Sequence, residues 1–136
     1  MVKEIIKDTS YLILKSEPAN INDLYILNDL TDTLDSIKDK CVGLAANMIG
    51  YNKTILVFIE NNKISYMINP KIIKKEDEYE TEEGCMSLIG LRKCIRYNKI
   101  KVSYYNDKFQ ERIKNYAGFE AEIIQHEIDH FSGILI

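Results

Sequence analysis

This 136-residue chain has few prolines, glycines and cysteines, and it has no long apolar run. It has two prolines, six glycines and no low-complexity linker or repeat, so we expect one domain spanning residues 1–136. Three cysteines, an odd number, argue against a disulfide framework and favour a reducing, cytoplasmic location. The longest apolar run, Ile55–Ile59, is far too short to cross a bilayer, which argues against a membrane protein.

The net charge and the N-terminal segment argue against a nucleic-acid-binding protein and a secreted protein. A net charge of -3 and a pI near 5.4 argue against nucleic acid as the main partner. The first residues mix charged with apolar side chains and lack a small-residue cleavage site, so we expect no signal peptide. The composition is that of a soluble globular protein, and we expect a monomer.

Hydrophobic periodicity predicts an α+β fold, with small antiparallel sheets packed around a central metal-binding helix. The first predicted element is an amphipathic helix within Asn20–Lys40. Strands are predicted at Thr54–Glu60 and Ile64–Ile73, and Asn69-Pro70 interrupts the second. A hairpin is predicted from Lys99–Tyr105 and Phe109–Tyr116, with its turn at Asn106-Asp107.

The last predicted helix follows Gly118 and carries apolar residues on more than one side. Phe119, Ile123, Glu127 and His130 recur on one face at helical spacing, and Gly133 is the expected C-terminal stop. A helix with several apolar faces is expected to pack between strands.

Both histidines of the chain lie in this helix, in the motif His126-Glu127-Ile128-Asp129-His130. Residues four apart on a helix lie one above the other, so two imidazoles can bind one metal ion. The alternative is a pair of ordinary histidines on a solvated turn, which the apolar surroundings disfavour because burying unliganded histidines is costly.

Two further segments contain residues that could complete a site. Cys85, in Glu82-Glu83-Gly84-Cys85-Met86-Ser87, could supply a third metal ligand, although a free cysteine is more often a small buried hydrophobe. The small residues of Gly43-Leu44-Ala45-Ala46 allow close approach of a ligand or, more commonly, of another strand.

The ordered segments "GLAANMIG", "EEGCMS" and "QHEIDH" resemble the peptide deformylases, which carry GxGLAAxQ, EGCxS and QHExDH. The resemblance implies a divalent ion bound by Cys85, His126 and His130, with a fourth position open for water. Iron(II) is implied by default, with Zn²⁺, Ni²⁺ or Co²⁺ as substitutes, and thiolate with imidazole suits these metals.

The same resemblance implies hydrolysis of N-formyl-methionine at the start of nascent polypeptides, with release of formate. Glu127 would be the general base and then the general acid, and the Met86 N–H would donate to the oxyanion. The residues implied in substrate binding are Val42, Gly43, Leu44, Gly84 and Arg92.

The chain departs from the family pattern at two positions of the first segment. Met48 replaces the glutamine whose amide donates to the oxyanion, and a thioether cannot donate. Cys41 replaces the first glycine and adds a second thiol near the site. We also expect no C-terminal docking segment, because residues 131–136 alone follow His130.

Three hypotheses follow for the function. The first is a working deformylase in which another donor, such as Asn47, compensates for Met48. The second is a catalytically impaired or altered-function metal-binding relative. The third, an ordinary HExxH metalloprotease, lacks a further His or Glu ligand downstream of the motif.

Overall fold

Five antiparallel strands form one sheet in which each strand pairs with its neighbours in sequence, in the order β1 to β5. A computed structural model describes residues 1–135. The strands are β1 (Gly43–Ala45), β2 (Ile55–Glu60), β3 (Lys63–Cys85), β4 (Leu88–Tyr105) and β5 (Glu111–Ala117). The helices are α1 (Thr9–Leu12), α2 (Tyr25–Ile37) and α3 (Gly118–Phe131), with short 3₁₀ turns at Ile21–Asp23 and Ala46–Ile49. This confirms the α+β class, and the strands join in one continuous sheet.

The long β3–β4 hairpin is the largest element, and much of it was not predicted. Its register runs from Ile68 opposite Tyr105 to Cys85 opposite Leu88, so Cys85 lies at the closed end of the hairpin. The break expected at Asn69-Pro70 is a bulge, where the register shifts and Asn69 adopts a φ of 50°. Asn69 also bonds the backbone of Ala19, which ties the N-terminal region to the sheet.

Helix α2 covers β2 and closes one side of the core. Its buried positions recur at helical spacing, and they are Ile26, Leu30, Thr33 and Leu34. The helix starts later than the pattern predicts, because the Asn20 side chain caps the 3₁₀ turn Ile21–Asp23 and not the α-helix itself.

Helix α3 packs against β4, β1 and β2, as expected for a central helix. Gln125 fixes it to β4: its side chain accepts from the Tyr97 N–H (2.9 Å) and donates to the Tyr97 carbonyl (2.8 Å). Gly133 has a φ of 74° and its N–H bonds the His130 carbonyl, which confirms the predicted stop. Within residues 1–135, no helix has the length and apolar character needed to cross a membrane.

Candidate metal centre and active site

Three potential metal ligands converge where α3 passes the closed end of the β3–β4 hairpin. His126 and His130 lie one turn apart on α3, and their Nε2 atoms are 3.2 Å apart. The Cys85 Sγ, at the end of β3, lies 3.4 Å from the His130 Nε2. One ligand atom from each residue lies within 4.8 Å of the other two. Cys85 therefore belongs with the histidines and is not simply a small core residue.

The donor set fits a divalent transition metal. Metal–sulfur and metal–nitrogen bonds of about 2.0–2.3 Å place donors around one ion roughly 3–4 Å apart. The distances of 3.2 Å between the two imidazole nitrogens and 3.4 Å from Cys85 to His130 lie in this range. Both histidines are buried, and the Ser87 N–H donates to the Cys85 Sγ at an N–S distance of 3.5 Å. A thiolate with two imidazoles suits iron, zinc or cobalt.

Glu83 orients the ring of His126. Its Oε1 lies 2.8 Å from the His126 Nδ1, so the ring donates there and turns its Nε2 toward Cys85 and His130. Burial lowers the pKa of His126, but bonds to Cys85 and Glu83 raise it more, to about 10. His126 therefore holds a proton among these groups. A metal ion bound by His126 and Cys85 would replace that proton. The sequence did not single out Glu83, although its charge two residues before Cys85 was a usable signal.

Burial and the neighbouring His126 lower the pKa of His130 to about 3. Its side chain is 1% exposed. The ring is therefore neutral at physiological pH, which is the form that binds metals.

Glu127 lies beside the donors without belonging to them. It is 4% exposed, and its Oε1 has no hydrogen-bond partner among the described residues. Burial raises the pKa of Glu127 to about 7. Gly43 allows this position, since a Cβ there would lie 2.9 Å from the Glu127 Oε2. A buried carboxyl that titrates near neutrality can both accept and return a proton.

A cavity of about 470 Å³ opens next to Cys85, His126 and Glu127. Among the site residues expected from sequence, it is also lined by Val42, Gly43, Met48, Gly84 and Met86. Three others do not line it: His130 and Leu44 are buried, at 1% and 0% exposed, and Arg92 lies on β4 opposite Glu83. Phe119, Glu122 and Ile123 of α3 complete the wall near the donors.

The two unusual residues of the first segment also face this cavity. Cys41 donates from its thiol to the Gly43 carbonyl (3.0 Å), and burial raises the pKa of the thiol to about 11. Cys41 is not part of the metal-ligand group. Met48 is 1% exposed and lines the cavity. Asn47, considered as a substitute donor, directs its amide to the His130 carbonyl at 3.0 Å and does not line the cavity.

The sequence is similar to a known protein family and to individual members of it. The sequence model of the polypeptide deformylase family matches residues 2–136. A peptide deformylase of Clostridium beijerinckii is 54% identical over 136 residues, which cover 100% of both chains. Peptide deformylase 2 of Clostridium acetobutylicum is 36% identical over 125 residues, covering 89% of this chain and 83% of the relative.

Solved structures share the fold over nearly the whole chain. The peptide deformylase of Legionella pneumophila superposes with a TM-score of 0.89 at 28% identity, covering 99% of this chain and 83% of that chain. The peptide deformylase of Thermus thermophilus gives a TM-score of 0.87 at 32% identity, with 99% and 84% covered.

Proposed function

The chain belongs to the peptide deformylase family, hydrolases that remove the N-formyl group from nascent peptides, and we propose that Cys85, His126 and His130 form its metal centre and Glu127 its catalytic base. The observation that carries this assignment is the convergence of two buried histidines and the half-buried Cys85. Beside them lies the buried Glu127, whose Oε1 has no hydrogen-bond partner among the described residues. Family membership decides against an ordinary HExxH metalloprotease.

The resident metal is proposed to be iron(II), with zinc, nickel or cobalt as substitutes. When bound, a divalent ion polarises the formyl carbonyl and makes water a stronger nucleophile near neutral pH. The sulfur ligand makes an iron(II) centre sensitive to oxygen, so we place the protein in a reducing cytoplasm. We also propose that it is a monomer of one domain and does not bind nucleic acid.

Glu127 moves the proton in the proposed reaction. Its carboxylate accepts a proton from the water that attacks the formyl carbon, and its carboxylic acid then donates that proton to the departing amine nitrogen. The pKa near 7 suits both steps, because neither protonation state is strongly favoured. The carboxyl is not assigned as a metal ligand, because Glu127 lines the cavity but lies outside the group of three donors.

The cavity is proposed to hold the N-formyl-methionyl end of the substrate. Val42, Phe119 and Ile123 provide apolar surface for the methionine side chain. Gly43 and Gly84 let the peptide backbone approach closely, and the Met86 N–H donates to the formyl oxygen as it gains negative charge. Leu44 is buried in the core and does not line the cavity, and Arg92 would contact only residues of the substrate outside the cavity.

Formate release from a formyl-Met peptide tests the proposal. The protein is prepared anaerobically with one equivalent of iron(II), stripped with a chelator, and reloaded. We expect formate release with the loaded protein, loss after stripping, and recovery on reloading. Full metal occupancy without formate release would contradict the proposed function.

A further inference from the structure

Arg96 is a buried cation next to the metal centre that is neither a proposed ligand nor in contact with the cavity. It lies on β4, and its side chain is 5% exposed. Its Nε and Nη2 donate to the Glu83 carboxylate at 3.0 and 2.7 Å, and its Nη1 donates to the Asp129 Oδ2 at 2.6 Å. A guanidinium is needed for this arrangement, because it offers several donors in one rigid plane.

The two carboxylates that Arg96 joins flank the metal ligands in sequence. Glu83 is two residues before Cys85 on β3, and Asp129 directly precedes His130 on α3. The metal donors thus come from two separate elements, and Arg96 connects the residues next to them on each element.

Glu83 extends the connection to a ligand ring. The same Oε1 that accepts from the Arg96 Nη2 lies 2.8 Å from the His126 Nδ1. Arg96 therefore holds in place the acceptor that fixes the tautomer and the orientation of His126.

We propose that Arg96 is a positioning residue of the metal centre, acting through Glu83 on His126 and through Asp129 on the His130 end of α3. This inference rests on the metal centre of the proposed function. The competing role is a purely structural ion pair that holds the hairpin against the helix. The two roles differ in what they predict for a bound metal, because a structural pair stabilises the fold without setting the ligand geometry.

Cobalt(II) is the probe that separates these roles, since its absorption bands report ligand geometry and its affinity can be measured by chelator competition. In Arg96→Lys, one ammonium keeps the charge but cannot bond both carboxylates in the same way. In Glu83→Gln, the amide has one acceptor oxygen in place of two, so it cannot accept from both Arg96 and His126 as the carboxylate does. We expect the cobalt dissociation constant to rise roughly 10- to 100-fold in both variants, with altered bands.

Two further variants control for folding. Asp129→Asn keeps an acceptor for Arg96 at a side chain that is 27% exposed, so it perturbs the fold least, and a smaller shift of the cobalt bands is expected. Lys114→Met removes a separate ion pair with Glu60, 2.8 Å long, that joins β5 to β2, and should leave both cobalt affinity and bands as in the wild type.

The inference would be overturned if Arg96→Lys, Glu83→Gln and Asp129→Asn were less stable to heat but bound cobalt with the affinity and absorption bands of the wild type. The proposed metal centre would then still stand. A wild-type protein that fails to bind one cobalt per chain would instead overturn the proposed metal centre, and this inference with it. For folded Arg96→Lys, the inference also expects kcat to fall with little change in KM.

Discussion

The Met48 Sδ lies 3.4 Å from the Ala45 backbone nitrogen and accepts its hydrogen bond at the start of the 3₁₀ turn Ala46–Ile49. The thioether thus has an acceptor role within the fold, while it can donate nothing to the substrate. A glutamine of similar length could accept from Ala45 through its Oε1 and direct its Nε2 into the cavity that Met48 lines.

Met48→Gln is therefore expected to raise kcat and kcat/KM, by up to roughly 10²–10³-fold, through a new oxyanion donor. Steady-state kinetics on one formyl-Met peptide, with matched metal content, measures the effect. Met48→Leu is the control, because it removes the acceptor without adding a donor and should lower stability more than turnover. A lower kcat/KM in the glutamine variant would show instead that Met48 packs against the substrate methionine.

Cys85→Ala is expected to lose stoichiometric metal binding, because two imidazoles alone leave the site one protein ligand short. Metal analysis of the purified protein measures this directly. Cys41→Ser is the matched control, since Cys41 lines the same cavity but lies outside the donor group. Equal metal content in the Cys85 variant and the wild type would remove Cys85 from the site.

Gly43→Ala tests the close approach at the cavity wall. The added Cβ would lie 2.7 Å from the Ile123 Cγ2 and 2.9 Å from the Glu127 Oε2, so one of these side chains must move. We expect kcat to fall by up to roughly 10²-fold with metal content unchanged, because a small misplacement of a catalytic group is costly.

Gly90→Ala provides the comparison for that variant. A Cβ at Gly90 would meet nothing within 4 Å, but its φ of 81° makes alanine strained. It should cost about 1–2 kcal/mol of stability and leave kcat near the wild-type value. A wild-type kcat in Gly43→Ala would show that the wall tolerates the methyl group.

The histidine pair and its helix were predictable because the signal is local. His126 and His130 are four residues apart, and the flanking Gly118 and Gly133 bound the helix as expected. Cys85 was ambiguous by itself, since only the turn of the hairpin brings it to the histidines. Leu44 and Arg92 lie in or beside the motifs, but their positions relative to the cavity depend on strand faces that the motifs do not specify.

The second half of β3 was not predicted, for a related reason. From Lys74 onward it is mostly charged and exposed, and it is stabilised by pairing with β4 and not by burial of its own side chains. The ion pair between Arg96 and Asp129 spans 33 positions in sequence and depends on the same pairing. Such long-range contacts leave no periodic pattern in the sequence.

Glu127→Gln tests the central assignment most directly, because it removes the proposed base and leaves all three metal ligands in place. Formate release from a formyl-Met peptide is measured for the wild type and the variant, prepared anaerobically with equal iron content. The variant is expected to bind one ion per chain and to release formate at least roughly 10²-fold more slowly. Equal rates at equal metal content would contradict the role assigned to Glu127 and the proposed mechanism built on it.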